Sequence, residues 1–352
     1  AGKGGAGVAG GSNTQVQYNS SGSLAGSANM TFNGTTLTLA NDASISGLTV
    51  GKGGGAVSGN TVVGYGAAAA VNSNGANAAF GYQALAANLA YYNTAVGYQS
   101  QLATTTGIAN TSVGEESLKT NTTGANNTAI GQGALLSNTT ASNNTAVGYH
   151  AGYTNSTGTL NVFVGVDAGY TNNANGNTGI GAAALKFNST GVGNTAVGGN
   201  TNIVDAALQA NTTGSYNIAV GSGALTSNTT ASQNTAVGYQ AGYSQVTANN
   251  NSFAGYKSGY LTTAGDNAAF GSVSLTNNTS GTSNAAFGRS ALESNTTGNY
   301  NTAVGKDALV LNTTASNNTA VGYQAGYSNQ TGTFSTFVGY QAGYANTTDY
   351  NT

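Results

Sequence analysis

The sequence predicts an all-β protein, a parallel β-solenoid or β-roll of about 17 coils of about 17 residues each, with a small N-terminal β module. Three observations predict it. The pentapeptide Asn-Thr-Ala-Val-Gly recurs with small variations from residue 60 onwards. The composition, with 55 Gly, no Pro and many Asn, Thr and Ser, is poor in helix formers, and one 17-residue unit cannot hold a helical pair. Within each unit the apolar residues fall in two short points separated by polar links, which suits brief strands joined at corners.

Residues 1–59 lie outside the repeat and form one expected unit, with 60–352 as the solenoid rod. Ala1–Gly11 is a glycine-rich lead-in. Gln15–Tyr18, Asn29–Phe32 and Thr35–Leu39 alternate in polarity and read as strands, and Asn33-Gly34 is a two-residue hairpin signal because both positions of that turn need φ > 0. Ile45–Val50 reads as a further strand and Gly51–Gly59 as a glycine-rich junction. Such a module would cap or feed the rod, whose end coils need covering.

The glycine of the pentapeptide is a ruler for the rod. It falls at Gly64, Gly81, Gly97, Gly114, Gly131, Gly148 and so on to Gly339; of 16 gaps, twelve are 17 residues, three are 16 and one is 23. The long gap reads as a loop bulging around Asn200–Asp205. The short gap returns every fifth copy, and Asn143–Tyr153, Gln233–Tyr243 and Asn317–Tyr327 are nearly identical, so a five-unit block has been duplicated. Asn351-Thr352 begins a further copy, as expected of a piece of something longer. Each unit offers one strand at Thr-Ala-Val (145–147, 235–237, 319–321) and a second at Ala-Leu (134–135, 224–225), replaced in other copies by Ala-Gly-Tyr (151–153, 241–243, 325–327). Stacked at roughly 4.8 Å per coil, 17 coils give a rod on the order of 80 Å long.

Adjacent residues of a strand point to opposite faces, so Ala and Val of Thr-Ala-Val cannot share one interior. Apolar residues on both faces imply a strand covered on both sides, and a lone solenoid has only one inside. A homotrimer, three chains around an axis, is the expected source of the second cover.

Charge narrows the function. Only 7 basic and 9 acidic side chains give a net charge of −2, so no basic face exists for nucleic acid. No cysteine is present, no stretch approaches a membrane span, and one histidine with scattered carboxylates offers little for acid–base catalysis; no enzyme activity, cofactor or metal is expected.

The decapeptides at 144–153, 234–243 and 318–327, reading Asn-Thr-Ala-Val-Gly-Tyr-Gln-Ala-Gly-Tyr with His150 for Gln in the first, resemble the head repeats of trimeric autotransporter adhesins. They are still more similar to the solenoid region of phage tail fibres, and Gly11–Asn19 with Phe32–Leu37 is similar to modules of tail-fibre proteins. The resemblance implies a homotrimeric fibre on a virion or cell surface that carries a receptor-binding or glycan-binding element, with no catalytic residues. A bacterial trimeric adhesin or self-assembling extracellular filament is the alternative, and an ice-binding solenoid, which needs an outward Thr-x-Thr array, a remote one.

Candidate contacts follow. Tyr149, Tyr153, Tyr239, Tyr243, Tyr323 and Tyr327 could stack sugars or pack against neighbouring coils. Gly148, Gly238 and Gly322 are expected corner glycines. His150 reads as a tolerated surface or corner substitution; Asp167, Asp205, Asp266 and Asp307 lack the calcium-repeat nonapeptide; Glu115-Glu116 with Lys119 reads as a solvated corner. Gly51–Gly55 and Gly64-Tyr65-Gly66 lack the Lys-Ser/Thr of a phosphate loop. The Asn-x-Thr/Ser triplets at Asn121, Asn138, Asn211, Asn228, Asn295, Asn312 and Asn346 are either glycosylation acceptors on an outward link or turn formers and ladder hydrogen-bonders; the resemblance favours the second.

Overall fold

In this computed structural model the described residues are 15–20, 23–33, 35, 37–39, 43–45, 48–71, 75–199 and 205–352. The lead-in Ala1–Gly11 and most of the loop around 200–205 lie outside them.

The N-terminal module is a three-stranded antiparallel sheet of β1 (Gln15–Ser20), β2 (Ser23–Phe32) and β3 (Leu37–Leu39), in that order. Phe32 pairs with Leu37, so four residues, 33–36, join β2 to β3 where a two-residue turn at 33–34 was expected. The Asn33 side chain is the reason: its Oδ1 accepts both the backbone N–H and the hydroxyl of Thr35 at 3.0 Å, closing a local turn without a tight hairpin backbone. Residues 34 and 36 are outside the described set. The single strand expected over Ile45–Val50 is instead a hairpin, β4 (Ala43–Ile45) and β5 (Leu48–Gly51), with Ile45 opposite Leu48. Ile45 and Leu48 stand three apart, a spacing that one strand would send to opposite faces and a hairpin sends to the same rung.

From β6 (Thr61–Val63) to β22 (Thr336–Val338) seventeen three-residue strands follow, one per unit, each parallel to the next. The register never slips: Thr128, Ala129 and Ile130 pair with Thr145, Ala146 and Val147, and the same match holds through sixteen turns, including the one that spans the long gap. β5 pairs antiparallel with β6, so the hairpin covers the free edge of the first coil as a cap should.

With the ruler glycine as position 0, each coil is built from fixed columns. The middle strand residue, position 15, is fully buried (Ala129, Ala146, Ala236, Ala303), and so are Ala and Leu at positions 3 and 4 (Ala134, Leu135; Ala224, Leu225; Ala308, Leu309). The second strand expected at Ala-Leu does not form. Leu135 has φ 50, Leu225 φ 49 and Leu309 φ 49, left-handed values that bend the chain inward, although Leu135 still donates to the Ala151 carbonyl of the next coil at 3.0 Å. The ruler glycine itself needs φ near +137, and a Cβ on Gly148 would stand 2.5 Å from the Gly165 carbonyl oxygen, so only glycine closes the coil.

Two further buried columns are asparagine. At position 13, Asn127 Oδ1 accepts the Asn144 backbone N–H at 3.0 Å while its Nδ2 donates to the Ala141 carbonyl at 2.9 Å, and the pattern repeats along the rod. At position 7, Asn138 donates to Asn121 Oδ1 at 2.8 Å and to the Ala141 carbonyl at 3.0 Å. The interior is therefore thin in apolar volume and is completed by side-chain amides, each matching coil to coil.

The five-unit period is a packing period. Where positions 4 of two consecutive coils are glycine, position 15 between them is phenylalanine: Gly152–Phe163–Gly169, Gly242–Phe253–Gly259 and Gly326–Phe337–Gly343. A Cβ on Gly152 would stand 3.1 Å from the Phe163 ring, so the ring occupies the space that two leucines fill elsewhere. The position-7 ladder steps at the same coils, leaving Asn138, Asn228 and Asn312 Oδ1 without a hydrogen bond.

Candidate functional site

The outer surfaces carry whatever this rod does, and the strand sets the first of them. Because position 15 points in, positions 14 and 16 point out. Position 16 is apolar on all seventeen coils, reading Val, Ile, Phe or Ala; its side chains are half-buried at Val63, Val147, Val197, Val220 and Ala254 and exposed on the other coils, as at Val96 37%, Ile130 39%, Phe287 40% and Val321 37%. Phe270 and Phe287 stack there at 5.1 Å. The outward pair is thus Thr-x-Val rather than the Thr-x-Thr array of an ice-binding face, and Thr gives way to Ala at 78, 268 and 285.

The tyrosines lie on another face, past the ruler glycine. Tyr149, Tyr239 and Tyr323 occupy position 1 and Tyr153, Tyr243 and Tyr327 position 5. Apart from Tyr149, which lies against His150 at 3.7 Å, these rings stack on the tyrosine of the next coil: Tyr153 on Tyr170 at 5.1 Å, Tyr239 on Tyr256 at 5.6 Å, Tyr243 on Tyr260 at 5.2 Å, Tyr323 on Tyr340 at 5.3 Å and Tyr327 on Tyr344 at 4.8 Å. Stacking along the rod takes up a ring face on each partner, a face that a sugar would otherwise use. Lys257 lies over Tyr256 and Tyr260, and Lys306 over Tyr323, so some of the few cations also settle on these rings.

The remaining sequence candidates are individually accounted for. His150 faces Asp167 at 3.8 Å, but Asp167 pairs with Lys186 at 3.0 Å; burial lowers the His150 pKa from its ordinary value more than the Asp167 charge raises it. Asp205 accepts the Tyr243 hydroxyl at 2.7 Å and pushes that phenol up to about 12, chiefly by this hydrogen bond, with burial adding to it. The reach spans two coils, across Gly223, where an added Cβ would stand 2.8 Å from Gln240 Cγ and 3.5 Å from Tyr243 Cδ2. Asp266 accepts from Asn250, Asp307 pairs with Lys306, Glu116 pairs with Lys119 at 2.6 Å and Glu115 accepts from Gln132. Among the described residues no three metal-ligating side chains gather.

Of the Asn-x-Thr/Ser triplets, Asn121, Asn138, Asn211, Asn228, Asn295 and Asn312 are 0% exposed, with their amide nitrogens engaged inside the ladder. They lie inside the rod and not on an outward link; Asn346, in the last coil, is half-buried.

Comparison with known proteins gives no match, whether against protein-family models, curated proteins or solved structures.

Sequence reasoning missed one surface. Position 12, the corner before the buried Asn, is left-handed on every described coil, and six coils place a large, largely exposed side chain there; of these, Phe334 stacks on Tyr350 at 5.4 Å and Tyr92 meets Tyr91 edge-on at 4.9 Å. The signal was present as Tyr92, Tyr216 and Tyr300 in a column otherwise mostly of small or polar residues, but it needs the backbone angle to be read.

Proposed function

We propose that this chain is the shaft of a structural and adhesive fibre, a homotrimer whose three solenoids meet along their position-16 rows. The carrying observation is that unbroken outward apolar row, present on all seventeen coils. Burying what remains exposed of one such side chain contributes about 1 kcal/mol, and summed along the rod this exceeds an association cost of roughly 4–15 kcal/mol. The rod suits a fibre: every coil hydrogen-bonds to its neighbours along one axis, and 16 charged side chains leave little for salt or pH to act on. The resemblance of the Asn-Thr-Ala-Val-Gly-Tyr-Gln-Ala-Gly-Tyr units supports placing it in a phage tail fibre that projects toward a host surface, and such a fibre would touch a cell-surface receptor or glycan. Native mass spectrometry tests the assembly. Three chains per particle is the expected result, and a stable single chain at micromolar concentration overturns the shared-row reading.

A further inference from the structure

Tyr92, Leu160, Tyr216, Tyr300, Phe334 and Tyr350 share position 12, with φ of 63, 60, 59, 56, 54 and 57. A left-handed backbone costs a non-glycine residue on the order of 1 kcal/mol, least for Asn and Asp. Seven other coils follow that preference, with Asn126, Asn143, Asn250, Asn317 and Asp266, Gly176 and Gly193 at the same corner, while Ala76, Ala109, Gln233 and Ser283 hold the angle without it. At position 4 the cost is offset, since Leu135 at φ 50 is wholly buried. At position 12 the side chains face outward: Tyr92, Leu160 and Tyr216 are 64% exposed and Tyr300 63%, with Tyr92 edge-on to Tyr91 and Phe334 stacked on Tyr350. The coil imposes the angle, and where the sequence places a ring on it the ring is presented to solvent.

We propose that these corner rings are the contact points for a neutral saccharide chain lying along the rod, a proposal that rests on the adhesive reading above and names its site. The chemistry of the edge fits. Tyr216 lies back over Gly193, where an added Cβ would stand 2.9 Å from its Cδ1, so the ring reclines on the rod surface. Exposed Thr213 and Thr297 stand three residues before Tyr216 and Tyr300, with Ser215 and Asn299 adjacent, and no charged side chain occurs between positions 9 and 12 of either coil. An aromatic surface ringed by uncharged hydroxyl and amide groups matches the C–H faces and hydroxyls of a pyranose, and offers nothing to a sulfated or carboxylated one. A second copy of this chain fits less well. A coil-by-coil contact needs its residue on every coil, as position 16 provides, whereas the five corner rings, with Leu160 on a sixth coil, stand at unequal spacings. Several weak contacts along one polymer would act together.

The test is the double variant Tyr216→Asn, Tyr300→Asn, which installs the residue that other coils already use. Binding to immobilised dextran, galactan and chitohexaose is measured, with chondroitin sulfate as the anionic control. The expected result is binding of the parent protein to at least one neutral probe, about tenfold weaker in the variant, with the unfolding midpoint unchanged or raised and the assembly mass unchanged. Undiminished neutral-saccharide binding by the variant overturns the site and leaves the adhesive reading intact. Absence of binding to every neutral probe, or binding to chondroitin sulfate alone, overturns the ligand class while the mass measurement still decides the fibre assembly. A variant of lower mass assigns the rings to chain–chain contact and overturns the proposal outright.

Discussion

Gly169 leaves the volume that the ring of Phe163 fills, from the next coil along the rod; Gly152 does the same from the coil that contains the phenylalanine. The two glycines and the ring are one core unit written in three pieces of sequence. Phe163→Ala should therefore cost about 3–5 kcal/mol, because neither glycine can refill the space. The triple variant Phe163→Ala, Gly152→Leu, Gly169→Leu rebuilds the core of the ordinary coils, whose leucines adopt the same left-handed angle, and should recover most of the loss. Urea unfolding midpoints of the three proteins check this; a triple variant no better than Phe163→Ala alone would contradict the exchange.

The asparagine ladder makes a sharper demand. Asn127→Ala removes the acceptor of the Asn144 N–H and the donor to the Ala141 carbonyl, two buried backbone groups. Each orphaned group costs about 1–3 kcal/mol, so the variant should lose more stability than its small change in volume suggests. Hydrogen exchange should show the loss first at Asn144.

Tyr243 supplies a titration prediction. Its phenol is pushed up to about 12 by the hydrogen bond to Asp205, above its ordinary value of 10.0. A raised folded value means the contact's stabilisation is complete below pH 10 and is lost as pH rises through 12. Ultraviolet titration at the tyrosinate band should show a late-ionising component that Asp205→Asn removes.

Val321→Glu places a carboxylate in the middle of the position-16 row. If three chains share that row, three charges are brought together out of water, and the assembly should fall to single chains at a concentration where the parent remains trimeric. Sedimentation velocity reads the outcome, and an unchanged assembly would place the chain contacts elsewhere.

Limited trypsin digestion under native conditions should cut at Lys52, before the first coil, ahead of Lys119, Lys186, Lys257, Arg289 and Lys306, which sit within stacked coils. Early cleavage at Lys186 or Lys257 would show that coils open independently.

The architecture was legible because a strict period forces one answer: Thr-Ala-Val-Gly every 17 residues fixes register, inward Ala and outward Val together. The second strand at Ala134-Leu135 was misread because a buried apolar pair looks the same whether extended or left-handed, and nothing local marks φ 50. The asparagines left two readings open, outward glycan acceptors or ladder hydrogen-bonders, and the second, which the resemblance favoured, is the one that holds. Asn138 and Asn144 read as polar loop residues, and only stacking identical coils gives their amides partners and puts them inside. The corner rings were unreadable by composition, since Tyr216 and Tyr239 are the same residue and differ only in backbone angle and neighbours.

The coincidence of the glycine–phenylalanine exchange with the five-unit repeat bears on how such a protein can change length. A gene segment encoding five coils is a self-consistent cassette, because its first and last rungs present the same interior to whatever is joined to them. Gain or loss of a cassette shifts reach in quanta of about 24 Å and keeps every surface column in register, so lineages can retune their span by recombination without redesigning a single contact.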